Sequence, residues 1–237
     1  MSTPHLHILA FAAHPDDVEL AASGTLIKHI QLGYACGIVD LTRGELGTRG
    51  NANSRDAEAI ESSKIMGLAV RENLDLGDGL FEINETTLMA VVTQIRKHKP
   101  SIVLANAESD RHPDHGRASA LVSRACFLAG LPKIITGNLP AHRPKAVYHY
   151  IQDRFLRPDL IVDISDVFEQ KMNAIMAFKT QFYDPNSAEP ETPISSKEFL
   201  SFLSARSIEF GRTIGTQYGE GFTTERTLGI NSLIELL

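Results

Sequence analysis

An almost continuous apolar segment near the amino terminus constrains the fold more than any other feature of the sequence. Residues 6–13 (LHILAFAA) lack the alternation of apolar and polar side chains that marks a strand with one solvated face. Such a run is typical of a parallel strand that is covered by helices on both faces. Residues 17–32 follow with apolar side chains close to helical spacing, and Gly33 is suited to the helix C-cap. The chain therefore begins with a buried strand and a helix.

The same rhythm of strands and helices continues along the chain. Further strands are predicted over 35–42, 72–76, 101–106, 145–151 and 159–164. Further helices are predicted over 54–67 with Asn53 or Ser54 as N-cap, over 86–98, from His115 to Ala129, and over 166–179 and 196–210. The segment 184–195 is rich in Pro, Ser and Glu and predicts a surface loop. This alternation predicts an α/β fold, Rossmann-like and doubly wound, with a mostly parallel sheet in a single domain spanning 1–237.

Composition excludes some classes of function. The 237 residues are 43% hydrophobic, as in ordinary globular proteins, and Asp plus Glu (29) outnumber Lys plus Arg (23), which gives a net charge of −6. Because this charge repels a phosphate backbone, we do not expect nucleic acid as a partner. No apolar run reaches the ~20 residues of a membrane span, and Met1–His5 lacks signal-peptide features. Cys36 and Cys126 predict buried thiols in a reducing compartment, so we expect a cytoplasmic protein without membrane contact.

Two short motifs follow predicted strands. The first is His14-Pro15-Asp16-Asp17, directly after strand 6–13, and the second is His112-Pro113-Asp114-His115, a short loop after strand 101–106. In a doubly wound sheet the first and fourth strands are commonly neighbours, and ligands bind beyond their carboxyl ends. We therefore expect both motifs in one site. Alone, each motif also fits a helix cap with a surface histidine.

The motifs contain the residue types of a catalytic metal centre. A catalytic zinc takes three protein ligands and keeps one position open for water. His14 and Asp17, three residues apart at a helix start, can face one point, and either His112 or His115 could complete the set. The remaining groups offer Asp16 as base, a second histidine as acid, and Asp114 to orient an imidazole. Two histidines and a carboxylate also suit Fe²⁺.

Four arginines lie close to these motifs in the predicted fold. Arg43, Arg49 and Arg55 fall in or just after the segment TRGELGTRGN, and Arg111 precedes His112. Guanidinium groups match carboxylates and phosphates, so these side chains predict an anionic substrate. A solvated loop with incidental charges is the alternative. The glycines do not spell G-x-G-x-x-G, so a dinucleotide site is not expected.

The paired motifs resemble those of the PIG-L/LmbE-like family of zinc-dependent de-N-acetylases. TRGELGTRGN and the late segment 218–222 (YGEGF) are most similar to its bacillithiol-pathway branch, which deacetylates N-acetyl-glucosaminyl-malate. The resemblance implies one Zn²⁺ per chain on His14, Asp17 and His115, with Asp16 as general base. It also implies a small anionic amino-sugar substrate and a homo-oligomer, with a hexamer as one form.

The same resemblance implies roles for the remaining residues. His112 would be the cation that stabilises the oxyanion and protonates the leaving amine, with Asp114 supporting it. Arg55 and Arg111 would face the malate carboxylates. Two alternatives stay open: a deacetylase or amidase for another anionic N-acetyl-sugar conjugate, and a non-catalytic metal- or nucleotide-binding module of the same fold.

Overall fold

A computed structural model describes residues 5–236 of the chain. Its strands are β1 (Ile8–Ala12), β2 (Cys36–Asp40), β3 (Val70–Asn73), β4 (Ile102–Ala105), β5 (Ala146–Tyr150), β6 (Leu160–Asp163) and β7 (Gly219–Thr224). Its α-helices are α1 (Asp17–Gln31), α2 (Ala52–Met66), α3 (Glu85–His98), α4 (Pro113–Ala129), α5 (Phe168–Met176) and α6 (Lys197–Thr213). A short 3₁₀ helix covers Leu233–Leu236.

The strands form one seven-stranded sheet in the order β3-β2-β1-β4-β5-β7-β6. The pairs from β3 through β5 are parallel, whereas β7 runs antiparallel between β5 and β6. The predicted single-domain α/β fold with a mostly parallel sheet is confirmed. The domain limits of 1–237 stay a prediction.

Strand β1 is apolar throughout because both of its faces are buried. Leu9 and Phe11 pack into the hydrophobic cluster that α3 and α4 cover. Ile8, Ala10 and Ala12 point the other way, into the cluster that α1 and α5 cover. Successive side chains of a strand point to opposite faces, so a strand between two helical layers needs an unbroken apolar run.

The order of the strands creates the switch point that the sequence predicts. β1 lies between β2 and β4, and α1 and α4 leave their carboxyl ends on opposite faces of the sheet. A crevice opens where the two connections diverge. Among the described residues, no helix combines the length and apolar character that crossing a bilayer requires.

Several predicted boundaries differ from the structure. β7 was not predicted as a strand, although it carries the YGEGF segment. The N-cap of α2 is Asn51 rather than Asn53 or Ser54, since its side chain accepts the main-chain N–H groups of both. α4 begins at Pro113, with His112 as its N-cap.

Candidate active site

Both motifs line one cavity of about 470 Å³ at the carboxyl ends of β1 and β4. This volume lies in the range of small-molecule sites. Five titratable residues of the two motifs are in its lining: His14, Asp16, Asp17, His112 and His115. The predicted convergence of two segments about 100 residues apart therefore occurs.

The turn from β1 into α1 directs the first motif into the cavity. Asp16 occupies the N-cap position of α1 with a φ of 117°, a left-handed backbone conformation that a non-glycine residue rarely adopts. Such strain is typical of functional sites, where the surrounding structure holds it in place. The next residue, Asp17, accepts the main-chain N–H of His14 at 2.9 Å and so closes the turn.

Asp17 lies between the imidazoles of the two motifs. Its Oδ2 is 3.5 Å from His14 Nδ1, and its Oδ1 is 3.1 Å from His115 Nε2. Asn106 and Gln152 donate amide hydrogen bonds to the same carboxylate at 3.0 and 2.7 Å. Behind His115, Asp110 accepts from Nδ1 at 2.6 Å, which turns Nε2 toward Asp17 as a carboxylate behind a metal-binding histidine does.

This arrangement fits a divalent metal ion. Two imidazoles and one carboxylate are donors that Zn²⁺ and Fe²⁺ both accept. His14 Nε2 is buried and lies 3.0 Å from Asp78 Oδ1, but it makes no well-aligned hydrogen bond with a described residue. Two further sets of three side chains could hold a metal ion, because the ligand atoms within each set lie within 4.8 Å of one another. The first set is His14, His112 and His115, and the second is His14, Asp78 and Asp114. His14 is common to all three sets.

The ionisation of the cluster follows from its packing. Burial disfavours protonation of His14, but contacts with Asp114, Asp17 and Asp78 outweigh it and raise its pKa well above 6.5. His115 is also buried, and Asp17 and Asp110 raise its pKa to about 9. The pKa of Asp17 is lowered despite burial, because both imidazoles face it. Carboxylates thus dominate the site and favour a cation there.

Asp16 faces the cavity beside this cluster and is held by Arg55. The guanidinium Nη2 donates to Asp16 Oδ2 at 2.8 Å and also to the Pro15 carbonyl oxygen. Burial raises the pKa of Asp16 to about 7, and the charge of Arg55 limits the rise. A carboxylate with a pKa near the working pH is suited to accept a proton. Arg55, predicted to face a substrate carboxylate, is instead occupied by Asp16 and by Gln181 at 2.9 Å.

The structure shows the surroundings of His112 and Asp114, whose implied roles stay a prediction. Burial and the neighbouring imidazoles of His14 and His115 lower the pKa of His112, which disfavours the implied cation. Its Nδ1 accepts the main-chain N–H of Asp114, so the neutral ring carries its proton on Nε2. The Asp114 carboxylate accepts from Gly79 N and Arg117 and lies 3.4 Å from His14 Nε2. Asp114 therefore supports His112 through its main chain.

The remaining predicted arginines are mostly engaged elsewhere. Arg111 lines the cavity, half-exposed and paired with Asp153 at 3.1 Å. Arg43 pairs with Asp56 outside the cavity lining. Arg49 is buried against the 184–195 segment, where it contacts Ser187. These contacts depend on tertiary neighbours, which sequence spacing does not reveal.

Several residues of the site were missed from the sequence. Asn106 and Gln152 follow the carboxyl ends of β4 and β5, and that position was the available signal for both. Asp110, two residues before His112, belongs to neither motif. Asp78 and Arg206 line the cavity from the β3–α3 connection and from α6, and no motif marks them.

Comparison with known proteins places the chain in a family. The family model described as PIG-L, GlcNAc-PI de-N-acetylase, matches residues 9–126. Diacetylchitobiose deacetylase of Thermococcus kodakarensis is 31% identical over 228 residues, which cover 90% of this chain and 81% of that protein. The chain belongs to the PIG-L family. The predicted family is thus confirmed.

Other proteins that are similar to this chain carry different names. The 4-oxalmesaconate hydratase of Pseudomonas putida is 29% identical over 198 residues, 76% of each chain. A probable N-acetyl-alpha-D-glucosaminyl L-malate deacetylase 2 of Bacillus cereus is 27% identical over 188 residues, 74% of this chain and 83% of that one. The crystal structure of the conserved protein TT1542 from Thermus thermophilus superposes with a TM-score of 0.84 and 33% identity, covering 95% and 98% of the two chains.

Proposed function

We propose that this chain is a zinc-dependent hydrolase that removes the acetyl group from an N-acetylated amino-sugar conjugate. The observation that carries the proposal is the position of Asp16, which faces the cavity directly beside the group formed by His14, Asp17 and His115. The deacetylase names of two relatives support the reaction class. Our first choice of substrate is N-acetyl-glucosaminyl-malate, an anionic conjugate used in bacillithiol biosynthesis.

His14, Asp17 and His115 would hold the zinc ion. When bound, zinc supplies a Lewis acid that polarises the acetyl carbonyl and makes water more acidic. Asn106 and Gln152 keep the Asp17 carboxylate in place through their amides, and Asp110 fixes the ring of His115.

Asp16 would accept the proton of the attacking water. Its carboxylate is buried, and Arg55 holds one oxygen, so the second oxygen is available toward the cavity. The proton must then reach the nitrogen of the leaving amine, and Asp16, which holds it after the attack, would deliver it. Because His112 carries its proton on Nε2 when neutral, it also offers an N–H to the developing oxyanion. Losing one such donor typically costs about 10²–10³ in rate.

Hydration of a carbon–carbon double bond is the second candidate. The hydratase relative matches three quarters of this chain, and a base that activates water serves either reaction. A hydratase adds the water without releasing acetate, so acetate release separates the two reactions. A binding module would need neither Asp16 nor the proton on His112.

The test is acetate release by purified protein from N-acetyl-glucosaminyl-malate, diacetylchitobiose and N-acetylglucosamine. Each is assayed after chelation and after addition of Zn²⁺ or Fe²⁺. We expect metal-dependent release that is fastest from the malate conjugate. Release without that preference would remove the malate assignment and keep the deacetylase. No release from any conjugate, with hydration of 4-oxalmesaconate, would replace deacetylation by hydration.

An Asp16→Asn variant tests the base. We expect normal metal content and activity reduced by about 10²–10⁴. Asp166→Asn is the matched control, since Asp166 is an exposed partner of Lys28 away from the cavity. Retained activity in Asp16→Asn would contradict the assignment.

The homo-oligomer and the cytoplasmic location stay predictions.

A further inference from the structure

The cavity contains polar atoms that the proposed hydrolysis does not use. Buried side-chain atoms without a hydrogen-bond partner among the described residues include Gln152 Oε1, Thr192 Oγ1 and Arg206 Nη1, and all three residues line the cavity. Buried polar groups in native proteins are nearly always paired, because an unpaired one costs about 1–3 kcal/mol. Unpaired groups that share a cavity therefore indicate a ligand.

Arg206 is the residue of this group that carries a charge. It lies on α6 and is only 9% exposed, with its guanidinium 4.8 Å from the ring centroid of Phe202. Burial lowers its pKa to about 10, while Asp153, Asp110 and Glu220 oppose the fall, so the group is still protonated at pH 7. A buried cation with a free N–H is suited to an anionic oxygen.

The other cavity arginines are already engaged. Arg55 is bound to Asp16, Pro15 and Gln181, and Arg111 is half-exposed and paired with Asp153. Arg55 Nε also lacks a partner, but Gly44 packs against it, and a carboxylate that reached the terminal nitrogens of Arg55 or Arg111 would have to displace their partners. Arg206 Nη1 is a terminal nitrogen that is unpartnered within the described chain.

The two neutral groups complete a pattern of donors and acceptors. Gln152 donates its Nε2 to Asp17 at 2.7 Å, and a carboxylate can only accept, so the free atom of the amide is its oxygen. This acceptor suits a sugar hydroxyl. Thr192 belongs to the 184–195 segment and adds a hydroxyl that both donates and accepts.

We propose that Arg206 binds a carboxylate of the substrate's aglycone and sets the preference for anionic conjugates, with Gln152 accepting from one adjacent hydroxyl group and Thr192 bonding to another. The inference rests on the proposed function for the reaction and for the malate conjugate that serves as the anionic substrate. Arg206 replaces Arg55 as the residue that distinguishes an anionic from a neutral conjugate.

The experiment compares N-acetyl-glucosaminyl-malate with the methyl glycoside of N-acetylglucosamine, which keeps the sugar and the amide but lacks the carboxylates. In Arg206→Met we expect kcat/KM for the malate conjugate to fall roughly 10- to 100-fold, as for a lost charged hydrogen bond. The value for the glycoside should change by less than about twofold. Arg206→Lys should fall between. Arg212→Met, an exposed arginine of the same helix, is the matched control.

Equal losses on both substrates, in variants that melt cooperatively, would overturn the proposal and make Arg206 a structural residue. The same holds if the wild type does not prefer the malate conjugate. If no substrate is deacetylated, binding of L-malate to the zinc-loaded protein by calorimetry tests the subsite alone. We expect binding in the wild type and in Arg212→Met and its loss in Arg206→Met. Malate held only through the metal would bind all three equally, which would also overturn the proposal.

Discussion

At the scale of single residues, the position of Arg55 links packing to the pH dependence of activity. Burial raises the pKa of Asp16 to about 7, and the charge of Arg55 opposes that rise. Removing the charge therefore raises the pKa further and leaves less of the carboxylate ionised at pH 7.

In Arg55→Met we expect the acid limb of kcat/KM against pH to move to higher pH. Activity lost at pH 7 should partly return at pH 8.5. Arg43→Met is the control, because Arg43 pairs with Asp56 outside the cavity lining. An unchanged acid limb in Arg55→Met would mean that the ionisation of Asp16 does not set this part of the pH profile.

A second residue pair gives stability a pH dependence away from the site. His149 Nε2 lies 3.2 Å from Glu225 Oε1, and its Nδ1 meets the Asn106 carbonyl oxygen and Ser119. Burial opposes protonation of His149, yet Glu225 and Asn106 raise its pKa above 6.5. The pKa of Glu225 is lowered below 4.5, first by its hydrogen bond with His149.

The signs of these shifts define the expected window. The stability that His149 contributes is fully present below pH 6.5 and is lost as pH rises through the pKa of His149 in the folded protein. The contribution of Glu225 is complete above 4.5 and is lost as pH falls through its folded pKa. Glu225→Gln should therefore lower the melting temperature more at pH 5.5 than at pH 8.5. Because Glu225 is partly exposed, we expect the substitution to lower the free energy of unfolding by at most about 1 kcal/mol. An equal effect at both pH values would exclude the charged pair.

At the scale of elements, the sequence predicts those parts whose pattern is local. β1, α1 and the motif at 14–17 are evident because an apolar run and a helical period meet at polar residues. β7 has no such pattern, since Gly219–Thr224 contains two glycines and becomes a strand only by pairing with β5 and β6. The partners of Arg49 and Arg55 likewise come from segments about 130 residues away.

The 184–195 segment is fixed by few contacts to the loop that precedes α2. Gly50 N donates to Glu189 Oε2 at 2.8 Å, and Arg49 Nη2 donates to Ser187 Oγ at 2.5 Å. Each hydrogen bond contributes about 0.5–1.5 kcal/mol, so local opening should respond to a single change.

We expect Glu189→Ala to speed hydrogen exchange and proteolysis within 184–195 while leaving the melting temperature of the whole chain unchanged. Thr192 and Ile194 of this segment line the cavity, so KM should rise as well. Glu191→Ala, in the same segment and exposed, is the control. Exchange that is identical in both variants would show that Glu189 does not fasten the segment.

At the scale of the whole molecule, a buried ion pair between α5 and the last strand, β7, also holds both of these elements to the first helix. Lys171 Nζ lies 2.6 Å from Glu220 Oε1, and the two side chains are each 2% exposed. The Glu220 carboxylate also accepts the main-chain N–H groups of Gly24 and Thr25 at 3.0 and 2.7 Å. Lys171 donates to the Leu20 carbonyl oxygen at 2.9 Å. The side chains of Lys171 and Glu220 thus form hydrogen bonds with main-chain groups in the middle of α1.

Glu220→Ala would leave the buried Lys171 cation without its carboxylate, with the Leu20 carbonyl oxygen as its remaining partner, and would remove the side-chain acceptor of the Gly24 and Thr25 N–H groups. Breaking a buried pair in this way costs about 3–5 kcal/mol, so the melting temperature should fall by roughly 6–20 °C. Lys171→Met should lower the free energy of unfolding by less, because the main-chain N–H groups of Gly24 and Thr25 still stabilise the Glu220 carboxylate. Lys64→Ala, which breaks the exposed pair with Glu61, should change stability by less than about 1 kcal/mol. A Glu220→Ala protein as stable as Lys64→Ala would mean that the antiparallel end of the sheet is held to α1 by apolar packing alone.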